Sequence, residues 1–233
     1  MSDLLLTQED GILWASINRA ERGGSISRAL ADAYVAAVSR VREDSTLKGL
    51  IWTSESPRVF SGGVDLKTPE GMAEAEVGPY RIAIVRDMLD ATTACPRPIV
   101  TMARGRMLGL AFMNALLTDR IVADETASFQ LPEVRIGIAS PFAAAIVEST
   151  TSKGLAYDIC MSARAVPARE LERRGGPCTL VPADQLREAA VERLETLAAM
   201  PAEAFGYMKR WFMSSRLEAM TAALDHSRIP SRG

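Results

Sequence analysis

The chain has 233 residues, 48% of them hydrophobic and 24% charged, with a formal net charge of −2. That length and balance predict a soluble globular chain with one sizeable core, and the weak charge offers no field for nucleic acid or an anionic membrane. Three scattered cysteines, Cys95, Cys160 and Cys178, lack CxxC pairing, which argues against a zinc site or disulfide framework and for a reducing cytoplasm. The N-terminal apolar run is too short for a secretory leader, and no run approaches the roughly eighteen apolar residues of a membrane span.

Residues 4–7 and 11–17 are apolar runs separated by Gln8, Glu9 and Asp10, which predicts a hairpin. Residues 18–24 read as a glycine-rich loop. From 27 to 42, Leu30, Ala33, Tyr34, Ala37, Val38 and Val41 recur at helical spacing behind Ser27, a candidate N-cap. A buried strand is expected at 47–53. Residues 59–66 read as a strand end entering a loop at Gly62 and Gly63, and 68–80 as a mobile polar segment. A helix over 80–93 stops before Pro96 and Pro98. A strand at 99–103, a second glycine loop at 104–106, an apolar helix at 109–117 and a strand at 120–123 follow. Beyond Glu133 the pattern is helical, at 142–148, 154–162, 168–174, 183–200 and 202–223. Strand–helix–strand units in front and helices behind predict an α/β core over 1–180 with a stacked or parallel sheet, then a helical region over 181–233. Residues 230–233 read as a frayed tail.

The two glycine loops each follow a strand. Such glycines either simply make turns or let backbone N–H groups point outward beside a positively charged helix N-terminus, where they stabilise an oxyanion. Neither a GxGxxG nor a P-loop pattern is present. Glu133 is the candidate acid, Asp65 reads as a loop-orienting carboxylate, and His226 as solvated. Trp14 and Trp52 read as core residues, and Lys209, Arg210 and Trp211 as a solvated helix face.

Several linked segments resemble the crotonase (enoyl-CoA hydratase/isomerase) superfamily. Phe60-Ser61-Gly62-Gly63-Val64-Asp65-Leu66-Lys67 is similar to its F-(C/S)-(A/S)-G-x-D-(L/I) segment, and Gly105-Arg106-Met107-Leu108-Gly109-Leu110-Ala111 to its N-G-x-x-x-G-G-G segment. Asp119-Arg120-Ile121-Val122-Ala123 is similar to C-D-x-R-I-A, residues 129–137 to F-x-x-P-E-x-x-x-G, and Ile17-Asn18-Arg19-Ala20-Glu21-Arg22 to L-N-R-P-E-K. The order and spacing hold over nearly the whole chain.

The resemblance implies an α/β spiral of stacked β-β-α turns with a C-terminal helical region that assembles trimers or dimers of trimers. It implies an acyl-CoA substrate, with coenzyme A as part of that substrate and no metal or redox cofactor. The thioester oxygen would accept from the N–H groups of Val64 and Leu110, with Gly62, Gly63, Asp65, Leu66, Gly109, Met113 and Phe142 around the acyl group. Arg22 and Ser25 fall near the nucleotide end of CoA.

Hydratases of the family carry two glutamates, and this chain aligns Met113 with the first and Glu133 with the second. A thioether neither activates water nor donates a proton. Δ3,Δ2-enoyl-CoA isomerases commonly keep the second glutamate alone, and Gly137-Ile138-Ala139-Ser140-Pro141-Phe142 resembles the G-(I/L)-x-A-P-F of some of them. The favoured expectation is therefore a double-bond shift, with Met113, Phe129, Leu131 and Phe142 raising the base strength of Glu133 by desolvation. The alternatives are a hydratase, or a related lyase or thioesterase, that recruits Asn114, Glu148 or water as the second group, and a catalytically silent acyl-CoA-binding subunit.

Overall fold

The computed structural model describes residues 2–224 and 226; the tail at 230–233 lies outside the described residues. The chain opens with an antiparallel hairpin, β1 (Leu4–Glu9) and β2 (Ile12–Ile17). Gln8 and Glu9 prolong the first strand, so the turn falls at Asp10 and Gly11. Residues 18–24, read as plain loop, contain a 3₁₀ turn at Ala20–Arg22. Helix α1 (Arg28–Glu43) follows, with Ser27 accepting from the Leu30 N–H as its N-cap.

Three turns of one pattern come next. Strand β3 (Gly49–Ser54), β4 (Val59–Ser61) and helix α2 (Glu74–Ala94) make the first. The second is β5 (Ile99–Ala103), β6 (Arg106–Leu108) and α3 (Leu110–Leu117). The third is β7 (Arg120–Ala123), β8 (Ser128–Gln130), a 3₁₀ turn at Glu133–Ile136 and α4 (Pro141–Thr150). Helix α5 (Lys153–Ser162), β9 (Val166–Pro167), α6 (Ala168–Arg173), β10 (Cys178–Leu180), α7 (Leu186–Ala198) and α8 (Ala202–Leu224) complete the chain.

In each turn the first strand joins one sheet and the second joins another. The large sheet runs β1-β2-β3-β5-β7-β10 and the small one β4-β6-β8-β9. All pairings are parallel except β1 with β2 and β8 with β9. This is the spiral of β-β-α turns that the resemblance implies. It places the ends of β4 and β6, and so both glycine loops, side by side.

Inside the exposed edge strand β1, the large sheet is covered on both faces, which explains why β2, β3 and β5 are continuous apolar runs rather than alternating ones. Leu13, Ala15, Ile17, Leu50 and Trp52 enter the main core, while Ile12, Trp14, Ile51, Val100 and Val122 pack under Leu186, Ala190 and Leu194 of α7. Trp52 lies edge-on between Tyr34 and Phe60, at 5.5 and 4.9 Å between ring centres, an arrangement worth about 1 kcal/mol beyond the area buried.

Three expectations are corrected here. The segment 68–80 is helical from Glu74 onward, with the Glu76 carboxylate accepting from the Ala73 N–H, and the helix passes through Pro79 without stopping. Strands β6, β8, β9 and β10 went unread because two or three residues carry no legible period, and β6 separates Gly105 from the loop at Gly109. Lys209 is not a solvated helix residue: it is 5% exposed, with its Nζ 2.6 Å from Asp119 Oδ2 and 2.9 Å from the Arg97 carbonyl. Asp119 also accepts from the Ile99 N–H, so this pair fastens α8 to the start of β5. His226 is exposed, as read.

Candidate active site

The loop after β4 is held by its own amides. Gly62 N–H donates to the Gly23 carbonyl, Gly63 N–H to Ser61 Oγ and Asp65 N–H to the Ile26 carbonyl. Of the four amides from 62 to 65, only that of Val64 has no acceptor among the described residues. In the second loop Gly109 N–H donates to the Gln130 carbonyl. Leu110 N–H, the next one, begins α3 and has no acceptor within the helix, and the helix dipole adds partial positive charge there. Two free donors therefore stand on adjacent loops.

Those loops touch through their glycines. A Cβ on Gly63 (φ +86°) would lie 3.1 Å from the Leu108 carbonyl oxygen and 3.6 Å from Gly109 Cα. At Gly109 (φ +52°, ψ −125°) a Cβ would stand 3.3 Å from Glu133 Oε1 and 3.8 Å from Gly63 Cα. A side chain at either position would push apart the base and the two donors, in a backbone region where L-residues are strained.

Glu133 opens its 3₁₀ turn directly after Pro132. Its Oε2 is buried without a hydrogen-bond partner among the described residues. Burial pushes the carboxyl up from 4.5 to about 7, opposed only by a hydrogen bond from its own main-chain N–H. No cation or hydroxyl holds it down. Such a group is poised to take and return a proton near neutrality.

The carboxyl borders a cavity of about 150 Å³, whose walls include Val64, Leu66, Ile82, Val85, Leu110, Met113, Ile138 and Phe142. Among the described residues, Glu133 is the only carboxylate on these walls. A second cavity of about 280 Å³ lies on its other side, against Leu131, Ala143, Ala144, Cys160 and Met161. Cys160, on that wall, is pushed up to about 11 by burial and by the nearby Glu133 charge, and so stays a thiol.

Gly62, Gly63, Val64, Leu66, Gly109, Leu110, Met113, Glu133 and Phe142 thus meet around one cavity. Phe129, expected beside Glu133, is instead in the main core against Phe112, 5.0 Å between ring centres. Arg22 is exposed, and neither it nor Ser25 lines the cavity. Ser25 belongs with Asp65: its Oγ donates to Asp65 Oδ2 at 3.1 Å, Arg19 Nη1 lies 3.3 Å from the same oxygen, and Lys67 N–H donates to Oδ1. Burial pushes the Asp65 carboxyl up, but those donors outweigh it and hold the group below its ordinary range.

The two groups suggested as a second acid are elsewhere. Asn114 is fully buried, donating to Tyr34 and accepting from Thr92, and Glu148 is exposed near Lys153 at 3.6 Å. Missed from the sequence were Arg81, Ile82 and Val85 of α2. Their helix was expected, but a helical period does not say which face meets a distant loop.

A family model described as enoyl-CoA hydratase/isomerase matches residues 7–228. The 2,3-dehydroadipyl-CoA hydratase of Escherichia coli (strain K12) is 26% identical over 230 residues, covering 98% of this chain and 88% of that protein. Among solved structures, an enoyl-CoA hydratase from Mycobacterium avium subsp. paratuberculosis K-10 superposes with a TM-score of 0.83 at 24% identity, over 97% of this chain and 90% of that one. A monofunctional enoyl CoA isomerase from M. smegmatis superposes with a TM-score of 0.76 at 20% identity, over 95% and 99%. At these identities the superpositions speak to the fold alone.

Proposed function

The chain belongs to the enoyl-CoA hydratase/isomerase family, and from that premise we propose that it shifts the double bond of a 3-enoyl-CoA to give the 2-enoyl-CoA. One observation carries this reading: among the described residues Glu133 is the only carboxylate on the cavity wall, and Met113, which the resemblance aligns with the first hydratase glutamate, lines the same wall. Adding water needs one group to activate it and a coordinated proton donor for the α-carbon, whereas moving a proton between two carbons needs a single base.

The Glu133 carboxylate removes a proton from C2 of the thioester. The electron pair of that C–H bond moves into the thioester carbonyl, and the N–H groups of Val64 and Leu110 hold the resulting dienolate oxygen. One such donor is typically worth about 3–4 kcal/mol of barrier. The same carboxyl, now neutral, returns its proton to C4. The carbonyl re-forms and the double bond lies between C2 and C3. Apolar walls serve twice, keeping the base strong and denying the dienolate a competing proton from water.

The exposed Tyr207, Met208, Trp211 and Phe212 of α8 suit burial between copies, and a trimer through the C-terminal helices fits this reading. No helix among the described residues is long and apolar enough to cross a membrane.

The test incubates the purified protein with 3-hexenoyl-CoA and, separately, with 2-hexenoyl-CoA. Formation of the conjugated absorbance from the first, without hydration of the second, supports the isomerase. Hydration of 2-hexenoyl-CoA at a comparable rate overturns the reading in favour of a hydratase. Tight acyl-CoA binding with neither reaction makes the chain a silent subunit.

A further inference from the structure

We propose that Arg81 receives a carboxylate at the far end of the acyl chain, so that the preferred substrates are ω-carboxyacyl-CoA thioesters. This deepens the preceding reading and rests on it only for the presence of an acyl thioester in the cavity.

Arg81 lines the same cavity as Glu133, beside Ile82 and Val85 of α2. It is only 6% exposed. Nη2 donates to the Leu66 carbonyl at 2.6 Å, whereas Nε is buried without a partner. Nothing acidic pairs with the guanidinium among the described residues. Burying an unpaired cation is costly, and native structures normally pair or hydrogen-bond such groups. This chain does so elsewhere: Lys209, buried to the same degree, contacts Asp119 at 2.6 Å.

Glu133 does not supply the missing partner. Its Oε2 is buried with no hydrogen-bond partner among the described residues, and the Arg81 guanidinium donates to the Leu66 carbonyl instead. The cavity thus has a base where the thioester oxygen is gripped and, elsewhere on a mostly apolar wall that also carries Ser140, a cation with unused donors. A planar guanidinium presents those donors in a fork that matches a carboxylate. An acyl chain with its thioester at one end and a carboxylate at the other satisfies both. A plain alkyl chain leaves Nε without an acceptor and excludes water from it.

The test is calorimetric titration of the full chain with saturated, unreactive thioesters: butyryl-, pentanoyl- and hexanoyl-CoA against succinyl-, glutaryl- and adipoyl-CoA. At least one ω-carboxy ligand is expected to bind about 30-fold or more tightly than its uncharged counterpart, the lower range for truncating a buried charge pair. Arg81→Met should weaken the ω-carboxy ligands at least about tenfold more than their alkyl counterparts, and Arg81→Lys should keep part of the preference. Equal affinities for the two classes in the unaltered protein overturn the proposal. So does a uniform loss for both classes in Arg81→Met, which would make the side chain only a tether for the Leu66 loop. Because these ligands cannot isomerise, a carboxylate preference without turnover of 3-hexenedioyl-CoA would sink the isomerase and leave Arg81 standing. Turnover of 3-hexenoyl-CoA without the preference would do the reverse.

Discussion

Asp65 and Glu133 are both family-motif acids bordering the glycine loops, and the fold treats them oppositely. Around Asp65 it gathers a guanidinium, a hydroxyl and a main-chain N–H, drawn from residues 19, 25 and 67. Around Glu133 it gathers hydrocarbon, and leaves Oε2 with no donor among the described residues. The first carboxyl is held below its ordinary range and the second rises to about 7. The difference separates an anchor from a base: donors fix a charge in place, and withholding them keeps a proton exchangeable.

The sharpest way to break this contrast is Glu133→Gln. Isomerisation should fall by about 10³-fold or more, while calorimetric affinity for hexanoyl-CoA stays within about threefold. A loss under tenfold would take Glu133 out of the chemistry. Next in size is Gly109→Ala, whose Cβ would meet Glu133 Oε1 at 3.3 Å in a backbone conformation that disfavours alanine. A loss of about 10²-fold in kcat is expected, comparable to removing one oxyanion donor.

Titration sharpens the comparison further. The base must be ionised, so kcat/KM should rise about tenfold per pH unit below pH 7 and level off above it. Stability should run the other way. A carboxyl raised from 4.5 to about 7 by folding contributes stability that is complete below pH 4.5 and lost as pH climbs through 7, on the order of 3 kcal/mol in all. Glu133→Gln should therefore raise Tm more at pH 8 than at pH 5, as thermal melts at the two pH values will show. Asp65 has the opposite sign: its contribution is present at neutral pH and lost as pH falls through its lowered pKa.

The smallest effect belongs to Asp65→Asn. Arg19 retains Asp3 at 3.1 Å, so the loop loosens without collapsing. A stability loss of about 1–2 kcal/mol in denaturant melts is expected, with a three- to tenfold drop in kcat/KM and no movement of the pH midpoint near 7. A shifted midpoint would show that the two acids are coupled and the contrast drawn here is false.

Much of this was legible before any coordinates. Apolar runs marked β1, β2, β3, β5 and β7 of the large sheet, a 3.6-residue period marked α1, and linked motifs picked out both glycine loops and Glu133. Local pattern carries such information because strand and helix periods, turn chemistry and caps act over a few neighbouring residues. Strands β6 and β8 to β10 were too short to show a period, and the first turns of α2 were read as a mobile segment because 68–80 is polar.

What the order of residues could not decide was which partners each charged group would meet. Lys209 finds Asp119 ninety positions away, Asp65 finds Arg19 across forty-six, and Arg81 finds only the Leu66 carbonyl among the described residues. Electrostatic environment is a sum over neighbours in space, and folding brings those neighbours from segments with no local relation to one another. The sequence alone pointed to the spiral fold and to Glu133 as the candidate acid. Only the tertiary structure decided that Oε2 of this acid stands without a donor among the described residues, and that a buried guanidinium shares its cavity.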